Sequence, residues 1–296
     1  MRSKSILARR FLDTTVRVLS ATSAMVGIIF LAWILIDVAL KGAPAFDLNF
    51  FTKRTGPFSI PDTGMANAIV GTLYLTVLAT IIGVPIGLMA GVYLSEIDKD
   101  SHISTAIRFV SNILMGMPSI LIGIFVYGII VAPMKQYSGY AGGIALAIIM
   151  LPVVARTSED ILRLVPNELR ESALALGAPL WKSTLTIVFR SAKAGLITGG
   201  LLAIARVSGE TAPLLFTAFN NNHFTWLGES GIGQYIYDMR EPTPNLTVTI
   251  FQYAMSPYKE WKEQAWGGSL LITATVLVLS VVARAVFRGK KYDGGK

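Results

Sequence analysis

Apolar runs free of charged residues extend over 18–36, 63–95, 109–134, 136–155, 211–228 and 264–283, separated by short charged stretches. Crossing a hydrocarbon core of about 30 Å takes roughly 20 helical residues, and several of the runs reach that length. The pattern predicts an all-α integral membrane protein with six transmembrane helices, over 18–40, 67–94, 108–134, 139–157, 194–218 and 266–288. The first stretch, Val18–Leu40, is longer than the roughly 7–15 apolar residues of a signal-peptide core. It is read as an uncleaved helix, despite its basic start and the following Ala43-Pro44-Ala45.

Composition agrees with the pattern. Hydrophobic residues make up 53% of the 296 and charged residues 15%, where a soluble domain carries nearer a quarter charged. The net charge of +8 would suit a nucleic-acid partner, but its placement speaks for the membrane surface and lipid instead. Arg2, Lys4, Arg9, Arg10 and Arg17 precede the first run, and Arg284, Arg288, Lys290 and Lys291 follow or close the last. With both termini inside, and bases at the inner helix ends included, Lys and Arg number 18 inside against 7 outside; Arg206 lies within the fifth helix. That bias predicts cytoplasmic termini. It also places 95–107 and 158–193 inside, and 41–66, 135–138 and 219–265 outside. The segment 95–107 is the weakest part of the argument, because Glu96, Asp98 and Asp100 outnumber its bases.

Several chemistries drop out. There is no cysteine, and the two histidines, His102 and His223, fall in predicted loops. No GxxxxGK[ST], HExxH or nucleophile-elbow pattern occurs. No catalytic residue, metal site or cofactor is expected, and energy for any transport must come from an ion gradient or a partner.

Glycine and proline crowd helices 2, 3 and 5, among them Gly83, Pro85, Gly87 and Gly91; Gly116, Pro118, Gly123 and Gly128; Gly195, Gly199, Gly200, Gly209 and Pro213. Two readings are open: close helix packing through small residues, or helices bent around a pathway. Pro118 and Pro213 are the candidate kinks, with Ser119 satisfying backbone near the first. Asp37 reads as an interfacial acid.

Between helices 4 and 5, Pro166 can occupy the first turn of a short helix that Gly177 and Pro179 end. About eleven residues make a rod of roughly 16 Å. Ala173, Leu174 and Leu176 offer small and apolar surface, while Arg170 and Glu171 stay polar. Such a helix lies on the bilayer or docks a partner.

In helix 5, Arg206 at mid-membrane costs roughly 2.5–3.5 kcal/mol on insertion scales. Glu210 follows four residues on, so the two share a helix face and can pair, with Gly199, Ala203 and Pro213 on or near it. Pro213 lacks an N–H and would free the Gly209 carbonyl. The patch is either an ion pair that fixes packing or a gate and anion contact. In the outer segment 219–265 and at its border with the sixth helix, Asn220, Asn221, Asn222, Trp226, Tyr235, Tyr237, Trp261 and Trp266 suit a membrane-interface belt or a docking surface.

The order Glu171-Ser172-Ala173, Gly177 and, after nine intervening residues, Ile187 resembles the EAA loop of ABC importer permeases. That family's motif closes on Leu-Pro, where Phe189-Arg190 stand here. ARVSGETAPLLFTA (205–218), GTLYLTVLATIIGVPIGLMAGVYLSE (71–96), MPSILIGIFVYGIIV (117–131) and LPVVARTSEDILRLVPNELRESALALGAPLWKS (151–183) are similar to the phosphate-specific members of that family. The likeness covers Ala66–Asn220, and AMSPYKEW at 254–261 extends it.

The resemblance implies the type I permease fold, with a transmembrane domain over 66–288 behind a separate first helix, 18–40. It implies a cytoplasmic segment 1–17, a cytoplasmic tail 289–296 and location in the bacterial inner membrane. The implied substrate is inorganic phosphate. The implied partners are a homologous second permease, an ATPase dimer and an extracytoplasmic phosphate-binding protein. Arg170, Glu171, Ser172, Ala173, Leu174 and Gly177 fall in the coupling helix that engages the ATPase. Arg156 and Arg206 match family arginines implicated in transport, and Glu210 joins them on the pathway. A guanidinium suits phosphate because its planar donors pair bidentately with oxyanions. Anchoring by the positive-inside effect is the other reading for Arg156. The rival functions are a permease for sulfate or molybdate and, from another class, an ion-coupled transporter with Glu210 as proton carrier.

Overall fold

The protein is described by a computed structural model over residues 6–56, 63–222 and 238–288. Among the described residues every regular element is helical. Helix α1 runs Ile6–Gly42, and after a 3-10 turn comes α2, Leu48–Thr52. Helix α3, Ala66–Val92, continues into a π-helical turn, Tyr93–Ile97. Helices α4, His102–Gly116, and α5, Ser119–Val126, follow, the latter continuing through a π turn, Tyr127–Val131, into α6, Ala132–Met134. Then come α7, Gly139–Arg163, and α8, Asn167–Ala175. Helix α9, Leu180–Ser183, passes through a π turn, Thr184–Val188, into α10, Phe189–Val207. The described chain closes with α11, Ala212–Thr217, α12, Leu246–Ala254, and α13, Lys259–Arg288.

Among the described residues five helical stretches are long and apolar enough to cross a membrane, and α4 with α5–α6 makes a sixth crossing if that pair, bent by 105°, is one span. Five of the expected six spans are thus present among the described residues, the third being the bent pair, and their limits differ from those expected. The third begins at His102, which sits in a helix and not a loop; Ser101 caps it by accepting from the Ser104 N–H. The fourth runs on to Arg163, and the sixth begins at Lys259, so Trp261 and Trp266 lie on it. The fifth differs most. It starts at Leu180 and ends at Val207, and only after a break does α11 take the chain on. His223, Trp226, Tyr235 and Tyr237 lie outside the described residues.

The centre of the bundle is α3 against α7. Leu75, Ala79, Gly83, Gly87 and Gly91 recur every four residues, so they line one face of α3, and all are buried. A Cβ at Gly87 would stand 2.8 Å from Val154 Cβ and one at Gly91 2.6 Å from Ser158 Cβ. For helix 2, then, close packing is the role of the glycines. Pro85 sits inside α3 and Pro152 inside α7 without ending either helix. Leu146, Met150, Val154, Ala203, Val207 and Leu214 complete the buried centre.

The two ends of the bundle differ. At the apical end, Asn67 donates to Thr55 Oγ1 (2.7 Å) and to the Asn221 carbonyl (3.1 Å). Asn245 caps α12 by accepting from the Val248 N–H, and its amide donates to the Phe219 carbonyl at 3.0 Å. Tyr253 stacks on Trp261 with 4.7 Å between ring centroids, and burial pushes its hydroxyl pKa up to about 12. The opposite, basal end carries the 93–101 connection, the inner ends of α4 and α7, and α8.

Candidate functional site

Two places gather the residues singled out by the sequence. The first is where the third and fifth spans are both interrupted. At Met117-Pro118 the backbone is extended (ψ 135° and 129°). Proline has no N–H to continue a helix and forces the preceding residue out of the helical region. Pro118 thus breaks the span outright, beyond a kink. In the fifth span the break lies at Ser208–Thr211, and Pro213 sits in the first turn of α11, where its missing N–H costs nothing. The expected mid-helix kink at Pro213 is therefore replaced by a helix start. Gly123 of α5 meets Pro213 directly: a Cβ there would stand 2.6 Å from Pro213 Cα. Thr247 of α12 donates to the Glu210 carbonyl at 2.9 Å.

Arg206 is the penultimate residue of α10 and is exposed; Glu210 lies beyond the helix end. The ion pair expected from their four-residue spacing is not formed: among the described residues the Arg206 side chain has no carboxylate partner. The physical reason is the break, since the i,i+4 relation holds only where helix continues. Gly199 and Ala203 are buried, with Gly199 against Thr157 of α7.

The second place is basal. Helix α8 starts after Pro166 and closes on Gly177, whose φ of +82° only glycine adopts without strain. The Gly177 N–H donates to the Leu174 carbonyl (2.9 Å) and the Ala178 N–H to the Ala173 carbonyl (3.1 Å), the paired bonds of a Schellman end. Termination at Gly177 is as expected, while the helix spans nine residues, Asn167–Ala175, instead of about eleven. Ala173 is buried and supplies no surface, while Glu171, Ser172, Leu174, Leu176 and Gly177 are exposed. Arg170 turns inward, with its side chain 12% exposed. Its guanidinium donates to both oxygens of Glu96 (3.0 and 2.8 Å), to the Leu162 carbonyl (2.8 Å), to Asn167 (3.2 Å) and to the Val165 carbonyl. Phe189-Arg190, in place of the family's Leu-Pro, lie within continuous helix.

Sequence reasoning passed over Glu159, which faces into the bundle with its side chain 1% exposed and binds three arginines. Arg108 Nε (2.8 Å), Arg163 Nη2 (2.8 Å) and Arg156 Nη1 (3.2 Å) all reach it. Arg156 also approaches Asp160 at 3.5 Å, so this candidate pathway cation already has carboxylate partners. Arg108 donates further to the Lys99 (2.9 Å) and Leu94 (3.1 Å) carbonyls. The available signal was the run of Arg156, Glu159, Asp160 and Arg163 at helical spacing beyond the apolar part of α7.

Residues 83–289 match the family described as binding-protein-dependent transport system inner membrane component. The chain is 44% identical over 291 residues to the phosphate transport system permease protein PstA of Yersinia pestis, covering 98% of this chain and 95% of that protein. It is also 44% identical to the PstA of Haemophilus influenzae, over 92% of this chain and 93% of the other. Among solved structures, a chain from a bacterial alginate ABC transporter in complex with an alginate pentasaccharide-bound periplasmic protein superimposes with a TM-score of 0.60 at 12% identity. That superposition covers 96% of this chain and 98% of the other, and at that identity it bears on the fold alone.

Proposed function

We propose that this chain, which belongs to the family of binding-protein-dependent transport system inner membrane components, is the permease subunit of an ATP-driven importer whose cargo is inorganic phosphate. The observation that carries the cargo is the identity of 44% with phosphate permeases over nearly the whole chain. The rival oxyanions, sulfate and molybdate, have no such support, and family membership sets aside an ion-coupled carrier built on Glu210. The working complex comprises a homologous second permease, an ATPase dimer that supplies hydrolysis, and an extracytoplasmic phosphate-binding protein. It sits in the bacterial inner membrane, with both termini of this chain and the basal end in the cytoplasm.

Function then follows from the two sites. The exposed face of α8, with Glu171, Ser172 and Leu174 beside Leu169, Leu176 and Trp181, is the surface the ATPase engages. Large exposed apolar side chains on a water-facing end are what a docking interface needs. Binding protein delivers phosphate at the apical end, and ATP-driven closure of the ATPase dimer rocks the two permeases to open inward. Arg206, without a carboxylate partner among the described residues and next to the broken backbone at 208–211, lowers the barrier for the anion. Arg156 contributes only by leaving Glu159 and Asp160, so its part is smaller. The site is weak by design of the cycle, because tight holding would slow release.

The test is ATP-dependent uptake by the assembled complex in proteoliposomes, with phosphate and sulfate compared. Phosphate alone should accumulate, and Arg206→Gln should lower its uptake by about tenfold or more, as loss of a charge-assisted contact of about 1.5–3 kcal/mol predicts. Uptake at the unmodified level by an assembled Arg206→Gln complex overturns the role of Arg206, and sulfate uptake overturns the cargo.

A further inference from the structure

We propose that the Arg170–Glu96 pair is the link that carries motion of α8 into the second and third spans, and that Arg170 is a positioning residue for coupling and not a contact for the ATPase. This rests on the reading above that an ATPase drives α8. Covalently, α8 is joined only to the fourth span, through 164–166, and to the fifth, through 176–179. Nothing in the chain's connectivity ties it to the second or third. Arg170 supplies that tie. A guanidinium has five N–H donors, and here five acceptor contacts surround it: two on Glu96 and one each on Leu162, Val165 and Asn167.

Glu96 lies in the π turn that closes the second span, and its side chain is 2% exposed. A fork held at both prongs fixes direction as well as distance, so α8 cannot swing without pulling the 93–97 turn. The link continues. Arg108 of the third span grips the same turn through the Leu94 carbonyl, the following loop through the Lys99 carbonyl, and Glu159 of the fourth span. Glu159 in turn holds Arg156. One contiguous set of charged hydrogen bonds therefore runs from α8 to three transmembrane spans, the second, third and fourth. The side of α8 opposite Arg170 and Ala173 is left for the ATPase, so docking and transmission occupy different faces of one short helix.

The experiment measures phosphate uptake and ATP hydrolysis together in proteoliposomes holding the whole complex. Arg170→Ala should lower the phosphate carried per ATP hydrolysed by about tenfold or more, since an unpaired buried carboxylate is left behind. Arg170→Lys, which keeps the charge and loses the fork, should fall between. An unchanged ratio in assembled Arg170→Ala complexes, whatever their thermal stability, overturns the link. Should Arg170→Ala fail to assemble, Glu96→Gln keeps the shape and an acceptor while removing the charge; its ratio must still fall, and an unchanged value overturns the proposal. Failure of the functional reading appears separately, in the unmodified complex, as ATP hydrolysis without phosphate uptake. The anion that complex does carry then takes phosphate's place in the ratio.

Discussion

Glu159 and Gly177 are single residues on which the basal end turns, for different physical reasons. Three guanidinium groups converge on the Glu159 carboxylate, but they differ in exposure: the Arg108 side chain is 23% exposed, against 43% for Arg156 and 44% for Arg163. Removing the acid from a buried pair leaves an uncompensated charge and costs about 3 kcal/mol or more, whereas a half-exposed pair is worth less than about 1 kcal/mol. Glu159→Ala should therefore lower unfolding stability in detergent by about 3 kcal/mol, and Arg163→Ala by less than about 1 kcal/mol. Equal losses would mean the arginines act as one shell. At Gly177 no neighbouring atom stands within 4 Å of an added Cβ, so the cost of Gly177→Ala is the left-handed backbone alone, about 1 kcal/mol. Amide exchange over 173–178 should quicken about fivefold, with the helix start at Asn167 unaffected; unchanged exchange would mean that the Schellman end adds nothing.

Among the elements, the broken third and fifth spans depend on each other. Gly123 lets α5 approach the start of α11 so closely that backbone meets backbone, and backbone cannot step aside as a flexible side chain can. Gly123→Val should destabilise the chain by about 1–3 kcal/mol through overpacking. Gly128→Val, in the π turn of the same span with nothing within 4 Å, should leave the isolated chain near its original melting point. Similar melting for both would show that the contact at Pro213 is not tight. The same elements show what hydropathy can and cannot read. Apolar runs located five spans and the bent pair at the third, and Pro166 with Gly177 marked α8, because these are local signals. Hydropathy reports where a helix sits in lipid, not where it stops. Lys182, Arg190 and Lys193 therefore looked like loop, though the fifth helix runs through them, and α7 and α13 likewise run past their apolar parts. The break at 208–211 was hidden because apolar residues resume at once after it, which made Arg206 and Glu210 look like partners. Glu96 and Glu159 were illegible for another reason. Burial of an acid depends on arginines from distant elements, and spacing along one helix does not display that.

At the scale of the whole molecule, six crossings would put both ends of the chain on one side, and the question is which. Helix α1, at about 1.5 Å per residue, is longer than a hydrocarbon core needs, and its basic first turns therefore stand clear of the apolar region. Under the proposed function, the Lys and Arg bias of 18 to 7 leads to the expectation that those turns, the 93–101 connection and α8 are in the cytoplasm. In the acidic 95–107 stretch Glu96 is neutralised inside the fold by Arg170, while Asp98 and Asp100 still outnumber Lys99; acidic residues contribute little to the bias. A chain without cysteine makes the orientation directly measurable. Asp100→Cys sits in an exposed basal loop and Lys53→Cys at an exposed apical position, and neither side chain joins an ion pair among the described residues. A membrane-impermeant maleimide applied to intact cells should modify Lys53→Cys and spare Asp100→Cys until the membrane is permeabilised. The reverse pattern would put α8 outside the cell, where no ATPase could reach it, and the coupling assignment would fall together with the orientation. Labelling of both in intact cells would mean an odd number of crossings between residues 53 and 100 is not made, and that α3 does not span.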